Sequence, residues 1–220
     1  EFDVKVTNVP GVNQVSVAEH VLALLFSFQK NIHLQYNSVQ TKSWKRLTGN
    51  EIEGSTIGII GLGSVGKELA KKSLALGMSV YCFDLYKDED FLSQFTDIVF
   101  TDNINDIYEN SDVISLHIPH TSKTDKLINK EVLFSKMKKN PIIINTSRGK
   151  LIDTDSLIDA IQKDQIKGYL TDVLAEEPIH EEEKLIGVKN IIITPHVGSR
   201  TYQSVQRQGI VSINNLCNAL

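Results

Sequence analysis

The 220-residue chain lacks long hydrophobic runs and an excess of basic residues, and each lack argues against a class of protein. Its longest uninterrupted apolar stretch, Val21–Phe26, is far shorter than the roughly 18 residues expected of a transmembrane helix. Lys and Arg total 23 against 27 Asp and Glu, and the resulting net charge of −4 argues against a nucleic-acid-binding surface. We therefore expect neither a membrane nor a nucleic-acid partner.

Cysteines and metal-ligand patterns are also scarce. The two cysteines, Cys82 and Cys217, cannot form a disulfide framework, which favours a reducing compartment. No Cys and His residues have the spacing of metal ligands, so no metal site is predicted. Glu1–Asp3 lack a basic segment followed by an apolar core, so no secretory signal is expected there. These features predict a globular protein of the cytoplasm.

Most of the chain alternates between strand-like and helix-like segments. Helical spacing separates several of the apolar runs, notably over Lys67–Leu76 and Asp153–Gln162. The runs are continuously apolar, as expected when helices cover both faces of a parallel sheet, so a doubly wound α/β fold is predicted. The predicted strands are Thr56–Ile60, Val80–Phe83, Ile98–Phe100, Val113–Leu116, Ile142–Ile144, Gly168–Leu170 and Ile191–Ile193.

The two ends of the chain differ from this pattern. Ser16–Glu19 has the spacing of a capping box and opens a long apolar segment, Val21–Phe28, so that the predicted helix is apolar on nearly every side. We expect another domain or a second subunit to bury such a helix. Beyond the last strand, Tyr202–Leu220 is predicted to form a further helix.

A glycine-rich turn follows the first predicted strand and precedes a helix. Gly61 would permit the tight turn, Gly63 a close approach of the backbone to a pyrophosphate, and Gly66 close packing of helix on strand. The free N–H groups of the helix start suit phosphates. Asp84 lies 18 residues after Gly66 and ends the second strand, where a carboxylate can bind the adenine ribose. This order of elements predicts dinucleotide binding.

The charge of Asp84 bears on which dinucleotide is bound. A carboxylate at this position would repel a 2′-phosphate, and no Arg follows it immediately, so NAD is favoured. Lys87 lies close in sequence and keeps NADP open as the alternative.

Three further motifs lie near the carboxyl ends of predicted strands, where doubly wound sheets bind ligands. Taken alone, Arg148 fits a surface ion pair equally well, and Asp172 fits a turn or helix cap. A single His after a strand, such as His196, is more often structural than catalytic. The motifs are Asn145–Gly149, Thr171–Pro178 and Thr194–Gly198.

Together these motifs resemble the D-isomer-specific 2-hydroxyacid dehydrogenases, which include phosphoglycerate, D-lactate and glyoxylate/hydroxypyruvate enzymes. The resemblance extends over essentially the whole chain. It implies a Rossmann-type NAD-binding domain with a smaller substrate domain, a small 2-oxo or 2-hydroxy acid as substrate, and a homodimer formed through the NAD-binding domain. It rests on Asn8–Gly11, Ser16–Glu19, Trp44, Gly61–Gly66, His117–Pro119, Asn145–Gly149, Asp172, Glu177–Pro178 and Pro195–His196.

The resemblance also implies a role for each site residue. His196 would be the acid or base, with Glu177 orienting its imidazole. Arg148 would bind the carbonyl and carboxylate of the substrate, and Asp172 would accept a hydrogen bond from the nicotinamide carboxamide. The implied cofactor-binding residues are Gly61, Gly63, Ser64, Val65, Gly66, Asp84, His117, Pro119, Thr146, Ser147, Arg148, Asp172, His196 and Gly198.

Four histidines fall outside this implied site. His120 stands where leucine is frequent in the family, and we expect a partly exposed variant residue rather than a second catalytic histidine. His20, His33 and His180 belong to no motif and are interpreted as structural.

The resemblance divides the chain into three parts. Residues 1–12 would be a remnant of the substrate domain, comprising its last strand at Lys5–Asn8 and a linker. Residues 13–198 would form the dinucleotide-binding domain, and residues 199–220 a helix that returns to the substrate domain. Most of the substrate domain would then lie outside this chain, so we expect the chain to bind NAD but to catalyse poorly.

Two other functions stay open. The family's transcriptional corepressors have the same fold and keep the catalytic residues, so the sequence is also compatible with an NAD(H)-responsive binding protein. Formate dehydrogenases form another branch, which is disfavoured because that branch has Gln where this chain has Glu177.

Overall fold

The computed structural model describes residues 4–219. The first three residues of the predicted remnant 1–12 and the last residue of the predicted helix Tyr202–Leu220 lie outside the described residues. Its strands form a parallel sheet, which confirms the predicted α/β class. The strands are β1 (Thr56–Ile60), β2 (Ser79–Phe83), β3 (Ile98–Thr101), β4 (Val113–Leu116), β5 (Ile142–Asn145), β6 (Gly168–Thr171) and β7 (Ile191–Ile193). Across the sheet their order is β3-β2-β1-β4-β5-β6-β7.

Helices connect the strands and precede and follow the sheet. The helix predicted at Lys67–Leu76 begins earlier, at Ser64, within the glycine-rich motif Gly61–Gly66. The α-helices are α1 (Gln14–Gln29), α2 (Ile32–Gln40), α3 (Ser64–Ala75), α4 (Glu89–Gln94), α5 (Ile104–Asn110), α6 (Thr154–Gln162) and α7 (Tyr202–Ala219). A π-helical turn spans Val132–Lys136 and a 3-10 turn spans Gly149–Leu151.

Each face of the sheet has its own core. Alternate residues of a strand point to opposite faces, so Ile59 packs on the side of α1 and α3. The next residue, Ile60, packs on the side of α5 and α6 with Ile107 and Leu157. Because helices cover both faces, most strand residues are buried, which explains the continuously apolar runs of the sequence.

The apolar helix α1 is buried by its own chain, so the expectation that another domain or subunit must cover it is wrong. Val21 and Leu25 are fully buried in the core shared with α3. The predicted capping box is also wrong. The helix begins at Gln14, and the hydroxyl of Ser16 donates to the carbonyl oxygen of Gly198 at 2.6 Å rather than to a capping position.

The strand predicted at Lys5–Asn8 is not formed. Residues 4–9 have no regular structure because no described strand lies beside them to pair with their backbone. The segment instead lies along α7. The amide of Asn215 donates to the carbonyl of Asn8 at 2.8 Å, and the guanidinium of Arg207 donates to that of Val12 at 3.0 Å.

Residues 4–219 show neither a membrane-spanning helix nor a cluster of metal ligands, and both cysteines are free. None of the helices there combines the length and apolarity needed to cross a bilayer. No group of three or more His, Cys, Asp and Glu side chains is arranged to hold a metal ion in the same part of the chain. Cys82 is buried, Cys217 is exposed, and both are free thiols.

Candidate active site

The strand order reverses between β1 and β4, and a crevice opens outside the carboxyl ends of these strands. Doubly wound sheets bind their ligands at such a position. A cavity of about 380 Å³ lies there, and it is walled by segments that follow β1, β4, β5, β6 and β7. It brings together all of the predicted cofactor-binding residues except Gly61, Gly66 and Asp84.

The glycine turn has two positions that exclude any side chain and one that faces open space. A Cβ on Gly61, whose φ is +102°, would lie 2.4 Å from the carbonyl oxygen of His117, and one on Gly66 would lie 2.0 Å from that of Gly61. A Cβ on Gly63 would meet no atom within 4 Å. The helix α3 begins immediately afterwards at Ser64, and no side chain caps its first N–H groups. The turn therefore offers room and free donors to an anion such as a pyrophosphate.

Asp84 lies in a second cavity, of about 600 Å³, which meets the first at Gly63. Its carboxylate accepts hydrogen bonds from the backbone N–H of Leu62 at 2.6 Å and of Tyr86 at 3.2 Å. These bonds fix Asp84 beside the glycine turn. An elongated ligand that occupies both cavities would place its middle at the start of α3, as a dinucleotide requires.

Asp172 is a buried carboxylate that is held by several donors. Its Oδ1 accepts from the hydroxyl of Thr194 at 2.6 Å and from the N–H of Val197 at 2.9 Å, and its Oδ2 accepts from the N–H of Gly198 at 2.7 Å. Burial raises the pKa of Asp172, but hydrogen bonds from His20 and from these donors outweigh it and lower the pKa to about 2. The carboxylate is therefore ionised and can accept a further hydrogen bond from the cavity.

His20, on α1, is a residue of this network that the sequence patterns did not indicate. Its Nε2 lies 2.9 Å from the hydroxyl oxygen of Thr194 and 3.4 Å from Oδ1 of Asp172. These contacts give His20 a structural role, as interpreted from the sequence, and they place that role beside Asp172. The one available signal is that Ser16 and His20 form a polar pair, four residues apart, on an otherwise apolar helix face.

His196 lines the cavity and forms a direct pair with Glu177. The Nδ1 of His196 lies 2.6 Å from Oε2 of Glu177, whose Oε1 accepts from the N–H of Leu174 at 2.9 Å. Burial raises the pKa of Glu177, whereas the bonds from His196 and Leu174 outweigh it and lower the pKa. The backbone of His196 has a φ of +54°, a left-handed conformation that non-glycine residues adopt at constrained positions. With Nδ1 engaged, Nε2 is the ring nitrogen left for a ligand.

Arg148 presents its guanidinium at the carboxyl end of β5. The loop is held by buried Asn145, whose side chain donates to the carbonyl of Arg148 at 2.9 Å and accepts from the N–H of Ser147 at 3.0 Å. The guanidinium donates to the carbonyl of Ser147 at 2.6 Å. Among the ion pairs of residues 4–219 none involves Arg148, so a surface ion pair does not account for it. Its remaining donors are available to an anionic ligand in the cavity that it lines.

Two further polar side chains of the cavity bear on what it holds. The hydroxyl of Thr146 is buried and has no hydrogen-bond partner in the described chain, as expected of a group that a ligand satisfies. His117 lies 2.8 Å from the hydroxyl of Ser115, and its burial lowers its pKa to about 4, so its ring is neutral. The unpartnered hydroxyl, the uncapped helix start and the space at Gly63 fit NAD(H).

The remaining predicted non-site histidines do not line this cavity. His120 is partly exposed, as expected, and its Nε2 lies 2.8 Å from Oδ1 of Asp125. His33 contacts Ser27 on the preceding helix, and His180 lies in an exposed acidic loop beside Glu176.

Comparison with known proteins identifies the class that this fold and site define. Residues 22–198 match the sequence model of the D-isomer specific 2-hydroxyacid dehydrogenase, NAD binding domain. The chain belongs to this family of NAD-dependent oxidoreductases, which confirms the resemblance of its motifs, and NAD(H) is the cofactor of the domain.

Individual relatives agree with this assignment. The chain is 35% identical to a hydroxypyruvate reductase from Thermotoga maritima, covering 100% of this chain and 71% of the relative. It is 34% identical to a glyoxylate reductase from Thermofilum pendens, covering 98% of this chain and 65% of the relative. A D-lactate dehydrogenase from Aquifex aeolicus, solved with NAD and lactic acid, superposes with a TM-score of 0.85 at 31% identity, covering 96% of this chain and 68% of that one. The chain thus spans about two thirds of the length of these relatives.

Proposed function

We propose that the protein containing this chain transfers a hydride between NAD(H) and a D-2-hydroxy acid/2-oxo acid pair. The observation that carries the proposal is the 2.6 Å contact between Nδ1 of His196 and Glu177, beside a cavity that Arg148 and Asp172 also line. When bound, the cofactor supplies or accepts the hydride. The residues of the chain supply the proton, the binding of the acid and the orientation of both partners.

His196 is the proposed acid of the reduction and base of the oxidation. Its Nε2 would donate a proton to the carbonyl oxygen of the 2-oxo acid, while Glu177 accepts the hydrogen bond from Nδ1. The negative charge of Glu177 stabilises the protonated imidazole and keeps the ring in one orientation. Glu177 is itself oriented by the N–H of Leu174, so the pair is anchored to the backbone.

Arg148 is the proposed ligand of the substrate carboxylate and carbonyl. A planar guanidinium offers two parallel donors to a carboxylate, which an ammonium group does not. The lack of an ion-pair partner for Arg148 among residues 4–219 supports this role, because its charge is then available to the substrate.

Three groups are the proposed anchors of the cofactor: Asp172 at its nicotinamide end, the glycine turn at its pyrophosphate and Asp84 at its adenine ribose. The ionised carboxylate of Asp172 would accept from the nicotinamide carboxamide and so select the ring face that meets the substrate. Backbone N–H groups of Ser64 and Val65 would bind the pyrophosphate, and Asp84 the adenine ribose. Thr146 and Ser147 would lie near the nicotinamide ribose.

The proposal is tested with the full-length protein and a panel of 2-oxo acids, including glyoxylate, hydroxypyruvate and phenylpyruvate, with NADH. We expect turnover with at least one of them and its loss in His196→Ala with nearly unchanged NADH binding. His120→Ala removes an imidazole outside the cavity and should keep full turnover. Turnover that survives in His196→Ala would refute the assigned acid. NADH binding without turnover across the panel would favour the corepressor-like, NAD(H)-responsive binding protein instead.

We also propose that residues 13–198 are the NAD-binding domain and that residues 1–12 and 199–220 belong to the substrate domain. The contacts of α7 with Asn8 and Val12 support this division, because they join the two terminal segments. Because the chain covers 71% and 65% of two relatives, we expect it to bind NADH but to turn over slowly on its own. Equal turnover by this chain and by the full-length protein would contradict the division.

A homodimer through the NAD-binding domain is proposed, with α2 at its interface in place of the buried α1. Support comes from the exposed apolar side chains of α2 and from Trp44, which is 83% exposed. Sedimentation should detect a dimer that Tyr36→Glu weakens, whereas a monomer at high concentration would contradict the proposal. The exposed apolar residues of α2 are Ile32, Leu34, Tyr36 and Val39.

A cytoplasmic location is proposed from the thiols. The exposed Cys217 and the buried Cys82 are both free, which suits a reducing compartment. Fractionation of cells that express the full-length protein would check this, and recovery outside the cytoplasmic fraction would contradict it.

A further inference from the structure

The cavity beside Asp84 contains the charged groups that a 2′-phosphate on the adenine ribose would meet. Two lysines, Lys67 and Lys87, line this cavity together with Asp84. A 2′-phosphate is a dianion that needs cationic partners, so these lysines are the groups that could accept NADP(H). Their contacts therefore bear directly on cofactor selection at the proposed NAD(H) site.

Lys67 is already engaged by a carboxylate and by an aromatic ring. Its ammonium group contacts Oδ2 of Asp88, and its Nζ lies 5.4 Å from the ring centroid of Phe91. The hydrogen bond from Lys67 lowers the pKa of Asp88, so Asp88 is ionised at neutral pH. The charge of Lys67 is thus balanced by a neighbour that is held in place.

Lys87 is engaged in the same manner. Its Nζ lies 2.9 Å from Oε1 of Glu89 and 5.9 Å from the ring centroid of Phe100. Because Asp84 and Asp90 also line the cavity, four carboxylates face two ammonium groups there. A 2′-phosphate would enter a field of net negative charge, whereas the neutral hydroxyls of the NAD ribose can donate to Asp84.

We propose that Asp88 and Glu89 are specificity-determining residues that select NAD(H) over NADP(H). They do so by neutralising Lys67 and Lys87, the two cations of the cavity, and thereby reinforce the direct repulsion by Asp84. The inference rests on the proposed NAD(H) site. It assigns a role in cofactor selection to Asp88, which caps α4, and to Glu89, the first residue of α4, in addition to that of Asp84.

Asp88 also caps α4, and the two roles use different oxygens. Oδ1 accepts from the N–H of Phe91 at 2.9 Å, whereas Oδ2 contacts Lys67. Asparagine keeps the capping oxygen and removes the charge, since Asn and Asp cap helices about equally well. Asp88→Asn therefore separates the electrostatic role from the structural one.

The experiment measures the Kd of NADH and of NADPH by fluorescence titration of the 220-residue chain. Asp88→Asn combined with Glu89→Gln should tighten NADPH binding about tenfold, because two charged donors become free to meet the 2′-phosphate, while NADH binding changes by less than about twofold. The gain should shrink at high ionic strength, since it arises between exposed charges. Asp97→Asn is the matched control. It removes one exposed carboxylate just before the amino end of β3, whereas the site lies at the carboxyl ends of the strands, and it should not alter selectivity.

The same two substitutions are repeated in an Asp84→Ser background, where the direct repulsion is removed, and the selective gain for NADPH should persist there. Thermal unfolding reports that each variant is folded, because Asp84→Ser by itself removes a proposed ligand of the NADH ribose. The inference is overturned if Asp88→Asn with Glu89→Gln does not tighten NADPH binding in either background, or if Asp97→Asn gives an equal gain. In both cases NADH binding by the unsubstituted chain would still support the cofactor site. If the unsubstituted chain binds no NADH, the proposed function fails as well.

Discussion

The hydroxyl of Ser16 donates to the carbonyl oxygen of Gly198 across 2.6 Å and joins the first turn of α1 to the loop that carries His196. One turn further along the helix, His20 makes the second connection through Thr194 at 2.9 Å. Helix α1 therefore has two functions. Its apolar faces complete one core of the sheet, and its polar pair supports the loop that holds the proposed acid and the donors to Asp172.

Removal of the first connection should lower stability. Ser16→Ala would leave the buried carbonyl of Gly198 without this donor, and we expect a loss of about 1–2 kcal/mol in the free energy of unfolding. Urea unfolding checks this value. Ser93→Ala, which removes an exposed hydroxyl bonded to the carbonyl of Asp90, serves as the control and should cost much less. An equal cost for both substitutions would mean that the link to Gly198 is energetically unimportant.

Removal of the second connection should weaken cofactor binding more than stability. His20→Leu leaves the hydroxyl of Thr194 free to turn away from Asp172, and a fold-change of about three to ten in the Kd of NADH is expected from the loss of one ordered hydrogen bond. His20→Gln keeps an N–H donor at a similar reach and should restore most of the affinity. Fluorescence titration distinguishes the two variants. Identical affinities for Leu and Gln would show that the imidazole acts only by filling space.

The acid sensitivity of the chain should depend on Asp172. Its pKa of about 2 lies below the ordinary value of 3.8, so the ionised group stabilises the folded state above about pH 4, and this contribution is lost as the pH falls toward 2. A shift of this size corresponds to about 2 kcal/mol. Asp172→Asn should therefore be less stable than the parent at neutral pH, with a gap that narrows below pH 4. Parallel unfolding curves at both pH values check this, and a constant gap would contradict it.

Two alanine substitutions in the glycine turn should have different consequences, one for cofactor binding and the other for folding. Gly63→Ala adds a methyl group that meets no protein atom within 4 Å, so the chain should fold normally but bind NADH at least about tenfold more weakly, because the methyl group fills the space for the pyrophosphate. Gly66→Ala places its methyl group 2.0 Å from the carbonyl oxygen of Gly61 and should impair folding itself. Thermal unfolding and NADH titration separate the two effects. Unaltered NADH binding by Gly63→Ala would argue against a pyrophosphate at the turn.

Several features of the site could be predicted because their information is local. The glycine turn, the helix that starts behind it and Asp84 at the end of β2 follow one another within one strand–helix–strand unit, and each residue type meets a local backbone requirement. Asp172 follows β6 directly and Arg148 lies in the loop after β5, so the rule that ligands bind at the carboxyl ends of parallel strands places both in one crevice.

Other features could not be predicted because they depend on which segments meet. Ser16–Glu19 has a capping-box spacing, but the space beside Ser16 is occupied by a loop that is 182 residues away in sequence, and its hydroxyl bonds there instead. The engagement of Lys67 by Asp88 likewise joins residues 21 positions apart, across the helix and strand between them. A sequence pattern records the kind of side chain at each position but not the partner that a distant segment supplies.

Local sequence patterns were enough to predict the strands, most helices and the type of side chain at the end of each strand, because apolar periodicity and turn residues act over short distances. The burial of α1 by its own chain, and the support that Ser16 and His20 give to the loop of His196, became visible only in the folded protein. The pairing of the lysines near Asp84 with carboxylates is of the same kind. Burial and hydrogen bonding depend on the order of strands across the sheet, which reverses between β1 and β4 and brings distant segments to one crevice.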